Sequence, residues 1–258
     1  MRNFLGNKVW LVGFILTNVH WVILFLALSM APLSLITPLL GFGLVVLAIF
    51  SHFYLHERIQ QRELCGIGII IGGIVLVGIT ALPDPTTYTI EEMFALFGTS
   101  PALIYLLDIS FAAGILCFYS ISKNYKFAPA LIFGFTAGVG GGIGATFTKV
   151  LSLGIDDIFA AVGNILWWIC LIIMLAGNVV SLVFLNIGFQ KGKAVIVGPI
   201  FSVLGMILPV FSGIIILAEW QAQTPLSIAL QIIGLVIIAL GIIILSFYRE
   251  KKSAENLK

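Results

Sequence analysis

The chain alternates between long apolar blocks and short polar clusters. Eight blocks, at about 9–30, 33–55, 63–82, 101–121, 128–150, 165–188, 194–218 and 226–247, are each long enough to cross ~30 Å of hydrocarbon as a helix. The pattern predicts an all-α, polytopic membrane bundle of about eight transmembrane helices. Most connections are short. The exception is 83–100, PDPTTYTIEEMFALFGTS, which is acidic and turn-rich and reads as an interfacial loop.

Composition removes the alternatives. Of 258 residues, 60% are hydrophobic and 9% charged, against about 25% charged in an ordinary soluble domain. A soluble enzyme, a disordered chain and a nucleic-acid-binding domain are excluded, and the lipid bilayer becomes the first partner. With eight spans, 12 of the 13 Lys and Arg residues fall on one side, the side of both termini. Lys149 alone falls opposite, among Asp84, Glu91, Glu92, Asp156, Asp157 and Glu219. The positive-inside rule then places both termini in the cytoplasm, and the expected location is the cell membrane. The first block lacks a signal-peptide layout, so it is expected to be retained. Cys65, Cys117 and Cys170 form no CxxC pair and read as small packing residues.

The chain also matches itself at an offset of about 161 residues. Asn18-Val19 matches Asn178-Val179, Pro38 matches Pro199, Glu57 matches Glu219, Gly73 matches Gly234, and Gly78 matches Gly241. Five crossings separate the copies, so the second is inverted. Inverted repeats characterise secondary transporters, whose site lies near the midplane between the repeats. The alternative is a duplicated membrane protein that transports nothing.

Two stretches carry a family resemblance. One is Ala27-Leu-Ser-Met-Ala-Pro-Leu-Ser-Leu-Ile-Thr-Pro38, with its span ending Leu55-His56-Glu57-Arg58 and the following Gly66-Ile-Gly68-Ile-Ile-Ile-Gly72-Gly73. The other runs from Gly188 to Pro199 and on to Leu217-Ala-Glu219-Trp220. Together they resemble the drug/metabolite transporter (DMT) superfamily of EamA-like carriers. Ala31-Pro32, Thr37-Pro38 and Glu219-Trp220 are further similar to its NIPA-type magnesium-transporter branch. The resemblance implies a secondary carrier of a small solute or cation, and the branch implies magnesium. The family repeat has five helices, so the division is an incomplete N-terminal repeat (1–100), a C-terminal repeat (101–248) and a basic tail (249–258). Spans four and five of the C-terminal repeat have no counterpart in the first, which is therefore short of two N-terminal helices. An upstream segment, a partner membrane chain or a homodimer would supply them, and an accessory, non-transporting subunit is the other functional class.

Asn18 and Asn178 are expected near the midplane, where each amide offers two donors and an acceptor to a solute or to a neighbouring helix. Asp108 lies inside its span, where a carboxylate is costly unless it is protonated, paired or wet. It is a candidate for cation or proton binding, with Lys149 as the alternative partner. Glu57 and Glu219, with Pro38 and Pro199, are read as helix-end or gating residues. His52 and His56 share a helix face beside Glu57, for which packing or a metal site are the two readings, and the metal ligands stay unknown. His20 is expected to be buried and hydrogen-bonded. Gly134, Gly138, Gly140, Gly141, Gly142 and Gly144 serve close helix packing or an unwound, carbonyl-exposing segment. No paired nucleophile and base, Walker motif or HExxH occurs, so neither an enzyme nor a cofactor is implied.

Overall fold

A computed structural model describes residues 8–54, 61–81, 99–124, 128–155 and 158–256, together with 92, 95 and 96. Every regular element among them is helical. The helices are α1 (Lys8–Met30), α2 (Leu33–Leu39), α3 (Phe42–Tyr54), α4 (Gln61–Thr80), α5 (Ser100–Ser122) and α6 (Pro129–Ser152). A 3-10 turn (Leu153–Ile155) and α7 (Ile158–Gly163) follow, then α8 (Ile165–Lys191), α9 (Ala194–Ile215) and α10 (Pro225–Asn256). Helix is the form that satisfies every backbone polar group of an open chain inside hydrocarbon. Seven stretches among the described residues are long and apolar enough to cross a membrane, with α2 and α3 making one stretch. The eighth predicted span coincides with α1, whose Val19–Met30 part is a shorter apolar helix.

Two breaks interrupt the first half. Pro32 is extended (φ −62°, ψ 147°) and separates α1 from α2. Pro38 cannot donate a helical hydrogen bond, and one turn later the chain tightens: the Gly41 amide donates to the Pro38 carbonyl at 3.0 Å. There α2 gives way to α3. Pro199 and Pro209 sit inside α9, which continues through both.

Glycines decide which helices approach most closely. In α6 one row faces α9: a Cβ on Gly134, Gly138 or Gly142 would lie 3.1 Å from the Val197 carbonyl, 2.5 Å from Leu204 and 2.7 Å from Leu208. A second row faces α8. A Cβ on Gly140 would lie 2.8 Å from both the Gly177 carbonyl and the Ser181 amide nitrogen, and one on Gly144 would meet the Asn178 amide. Of the two sequence readings of this run, the structure has the packed one, in an unbroken helix. Its hydroxyls turn inward as well, with Thr136, Thr146 and Thr148 each donating to the carbonyl four residues back.

The other close crossing joins α4 to α10. Gly73 meets the Gly234 carbonyl and Ile238, while Gly234 meets the Gly73 carbonyl and Val77. Gly73 and Gly234 stand 161 positions apart, and so do Val77 and Ile238, so the contact is reciprocal. Gly241 meets Ile70 and Gly66. At the same offset these correspond to Thr80, Gln231 and Ser227, and both Ser227 (2.6 Å) and Gln231 (3.0 Å) donate to the Thr80 carbonyl. The contacts are those that a twofold axis between α4 and α10 would produce. Gly241 therefore corresponds to Thr80 rather than to Gly78, its match in the sequence: that match needs a two-residue insertion between Gly234 and Gly241, and both α4 and α10 run unbroken there.

Candidate functional site

A cavity of about 450 Å³ opens between the two halves of the bundle. The first half contributes His20 and Trp21 from α1 and Thr37 from α2, and the second half Asn178 and Ser181 from α8 and Ser202 from α9. Asn178 and Ser181 are three positions apart, so they share one helix face. The glycine packing explains the opening: Gly144 lets α8 lie against α6 at Asn178, and Gly141 and Gly205 leave room along the wall. The Asn178 amide nitrogen donates to the Met174 carbonyl at 2.9 Å. Among the described residues its carbonyl oxygen accepts no hydrogen bond, so the cavity has one acceptor held in place by its own donor. The Thr37 hydroxyl donates to the Leu33 carbonyl at 2.8 Å and leaves its lone pairs available. Among the described residues no carboxylate lines the cavity.

Beyond one end of the cavity, four chain segments meet. Lys149, at the end of α6, is 1% exposed. Its Nζ donates to the carbonyls of Leu28 (2.7 Å) and Ala31 (2.9 Å), the unsatisfied C-terminal end of α1. Glu219, just past α9, is 6% exposed. Its Oε1 accepts from the Leu33 amide at 2.6 Å and its Oε2 from the Ser34 amide at 2.9 Å, the first turn of α2. Each charge lies at the helix end whose partial charge it complements. Ala218 takes the left-handed conformation (φ 54°), and the Glu219 amide donates back to the Gly213 carbonyl at 3.1 Å. That turn lays the carboxylate over Gly213, where a Cβ would overlap it. Glu219 lies past the α9 span. Burial pushes its carboxyl up from the ordinary range, against the pull of Ser34, the two amides and Lys149.

The magnesium transporter NIPA family model matches residues 2–251. The chain belongs to the NIPA family. It is a multi-pass membrane transporter. Among the relatives of this NIPA-family chain, "Probable magnesium transporter NIPA9" of Arabidopsis thaliana is 25% identical over 250 residues, covering 95% of the chain and 71% of the relative. "Probable magnesium transporter NIPA7" of the same plant is 24% identical over 254 residues, covering 97% and 78%. "Magnesium transporter NIPA4" of Homo sapiens is 26% identical over 250 residues, covering 96% and 62%. No solved structure matches the chain.

The residues singled out in the sequence fall in different places in this NIPA-family fold. Asn178 lines the cavity. Asn18 lies in α1, but its side chain falls outside the described residues, as do His56 and Glu57. Asp108 is exposed on α5 and does not line the cavity. It is not the partner that Lys149 takes, because Lys149 reaches across to α1 instead. His20, expected to be buried, is exposed and lines the cavity. Nothing in its apolar neighbourhood in sequence signals a cavity on that face. Glu219 sits at a helix end, but that of α2 rather than its own span. Among the described residues no three His, Cys, Asp or Glu groups come together as a metal site. Ser181 and Ser202 are not among the residues the sequence points to, and Thr37 is so only through the Thr37-Pro38 motif. Ser181 carries a further signal, its helical spacing from Asn178.

Proposed function

We propose that the chain carries Mg²⁺ across the cell membrane as a hydrated ion, through the cavity between its two halves. The observation that carries this reading is the cavity's lining, which among the described residues has neutral oxygens and no carboxylate. Mg²⁺ gives up its waters reluctantly and is commonly held through them. Six waters at about 30 Å³ each need roughly 180 Å³, well within the cavity. Asn178, Thr37, Ser181 and Ser202 accept hydrogen bonds from the outer face of such a shell, and Asn18, the match of Asn178 in the repeat, is proposed for the same role. A carboxylate cage would hold the bare ion too firmly for turnover. The names of the relatives point to the same ion. Access alternates as the first-repeat helices α1–α4 rock against α5–α10. Both termini face the cytoplasm, as the distribution of Lys and Arg requires.

In proteoliposomes loaded with a fluorescent Mg²⁺ indicator, the purified chain is expected to raise Mg²⁺ entry clearly above that of empty vesicles. Asn178→Leu, which removes the fixed acceptor at similar volume, is expected to lower the initial rate by about tenfold, or some 1.4 kcal/mol of barrier. Entry no faster than in empty vesicles would refute the carrier reading. Full activity of Asn178→Leu would take that residue out of the route.

A further inference from the structure

We infer that Lys149 and Glu219 are the latch that closes the outer end of this carrier, positioning α1 and α2 over the cavity from the second half of the molecule. The inference rests on the carrier reading above and adds the residues that control access. Both charged groups belong to the second half, on α6 and just past α9. The four backbone groups they hold at the helix ends belong to the first half: the carbonyls of Leu28 and Ala31 and the amides of Leu33 and Ser34. These four groups flank the break at Pro32, which separates α1, with His20 and Trp21, from α2, with Thr37.

Rocking of one half against the other at this end therefore has to break these bonds. The α2 N-terminus has no substitute at its cap: the N-cap is Pro32, which supplies no side-chain acceptor. The burial of Lys149 and Glu219 adds directionality. Both groups are desolvated, so each is favourable only while seated on the opposite helix end. A pair that is buried when closed and hydrated when open has two discrete arrangements, as a gate requires.

An ordinary ion pair and a pair of helix-end caps respond differently to exchange of charge. Swapping Lys149 and Glu219 preserves the attraction between them, but sets a carboxylate against carbonyls and an ammonium against amides. The test places one cysteine in the cavity, Ser202→Cys, in a chain with Cys65, Cys117 and Cys170 replaced. It measures labelling from outside by a membrane-impermeant thiol reagent in right-side-out vesicles.

Glu219→Gln is expected to raise the external labelling rate about tenfold or more. Gly213→Ala keeps both charges but pushes the carboxylate off its seat, and should do the same. The exchange Lys149→Glu with Glu219→Lys should label at the fast rate. Unchanged labelling in Gly213→Ala and Glu219→Gln, with both proteins eluting as a single folded species, would overturn the latch. Parent-like labelling in the exchanged pair would reduce it to a simple ion pair. Labelling is read without Mg²⁺, so a failure here is distinguishable from a failure of transport.

Discussion

Gly140→Val is expected to drive α6 and α8 apart and to produce the largest loss of folded protein among the glycine variants. The Cβ position at Gly140 is 2.8 Å from the Gly177 carbonyl oxygen and from the Ser181 amide nitrogen, and that at Gly177 is 2.8 Å from the Gly140 carbonyl. These are backbone atoms of helices of 24 and 27 residues, so no side chain can rotate to make room. Within a membrane, association of helices depends on close packing rather than on exclusion of water. Separation of the backbones therefore removes the attraction itself. Overpacking of a well-packed interior costs about 1–3 kcal/mol, and the upper end applies where backbone must move. For a chain of this length, about 3 kcal/mol corresponds to a fall of roughly 6–12 °C in Tm. Thermal unfolding in detergent should show it. Gly198→Val is the control, because a Cβ there meets nothing within 4 Å. Equal melting of the two variants would remove the crossing at Gly140 from the basis of the fold.

Gly205→Phe is expected to do the reverse, abolishing transport while leaving the fold intact. Gly205 lines the cavity, and a Cβ on it meets no atom within 4 Å. The new ring has open space to enter, so no helix is displaced, and helix propensity improves on replacing glycine. The space it takes is that assigned to the hydrated ion in the proposed route. Mg²⁺ entry should fall to the level of empty vesicles, with Tm within about 2 °C of the parent, which is the range of a change worth under 1 kcal/mol. Undiminished entry would mean that the ion does not pass Gly205 and that the cavity is not its route.

Much of the molecule was legible because its causes are local. A run of apolar residues about as long as the bilayer is thick spans it wherever it occurs, which is why the predicted and observed helices coincide closely. The glycines of α6 announced a close approach by their spacing alone. Asn178 came into view because two copies of one pattern carry Asn at matched depth.

Other parts were not legible because they depend on which surfaces meet. Lys149 was assigned Asp108 as a possible partner on the grounds that their spans are consecutive, yet it turns to the carbonyls of Leu28 and Ala31. Glu219 was read as capping its own span, yet it binds amides 185 and 186 positions earlier in the chain. His20 gave no sign that it faces a cavity.

Sequence alone thus determined the spans, the asymmetry of charge and the glycine rows, since hydropathy and helical periodicity act over one or two turns. The tertiary structure alone decided that one glycine row of α6 serves α8 and the other α9, and that two buried charges hold the ends of a helix broken at Pro32. An unsatisfied carbonyl or amide takes whichever donor or acceptor packing brings within reach, and that is set by the whole bundle.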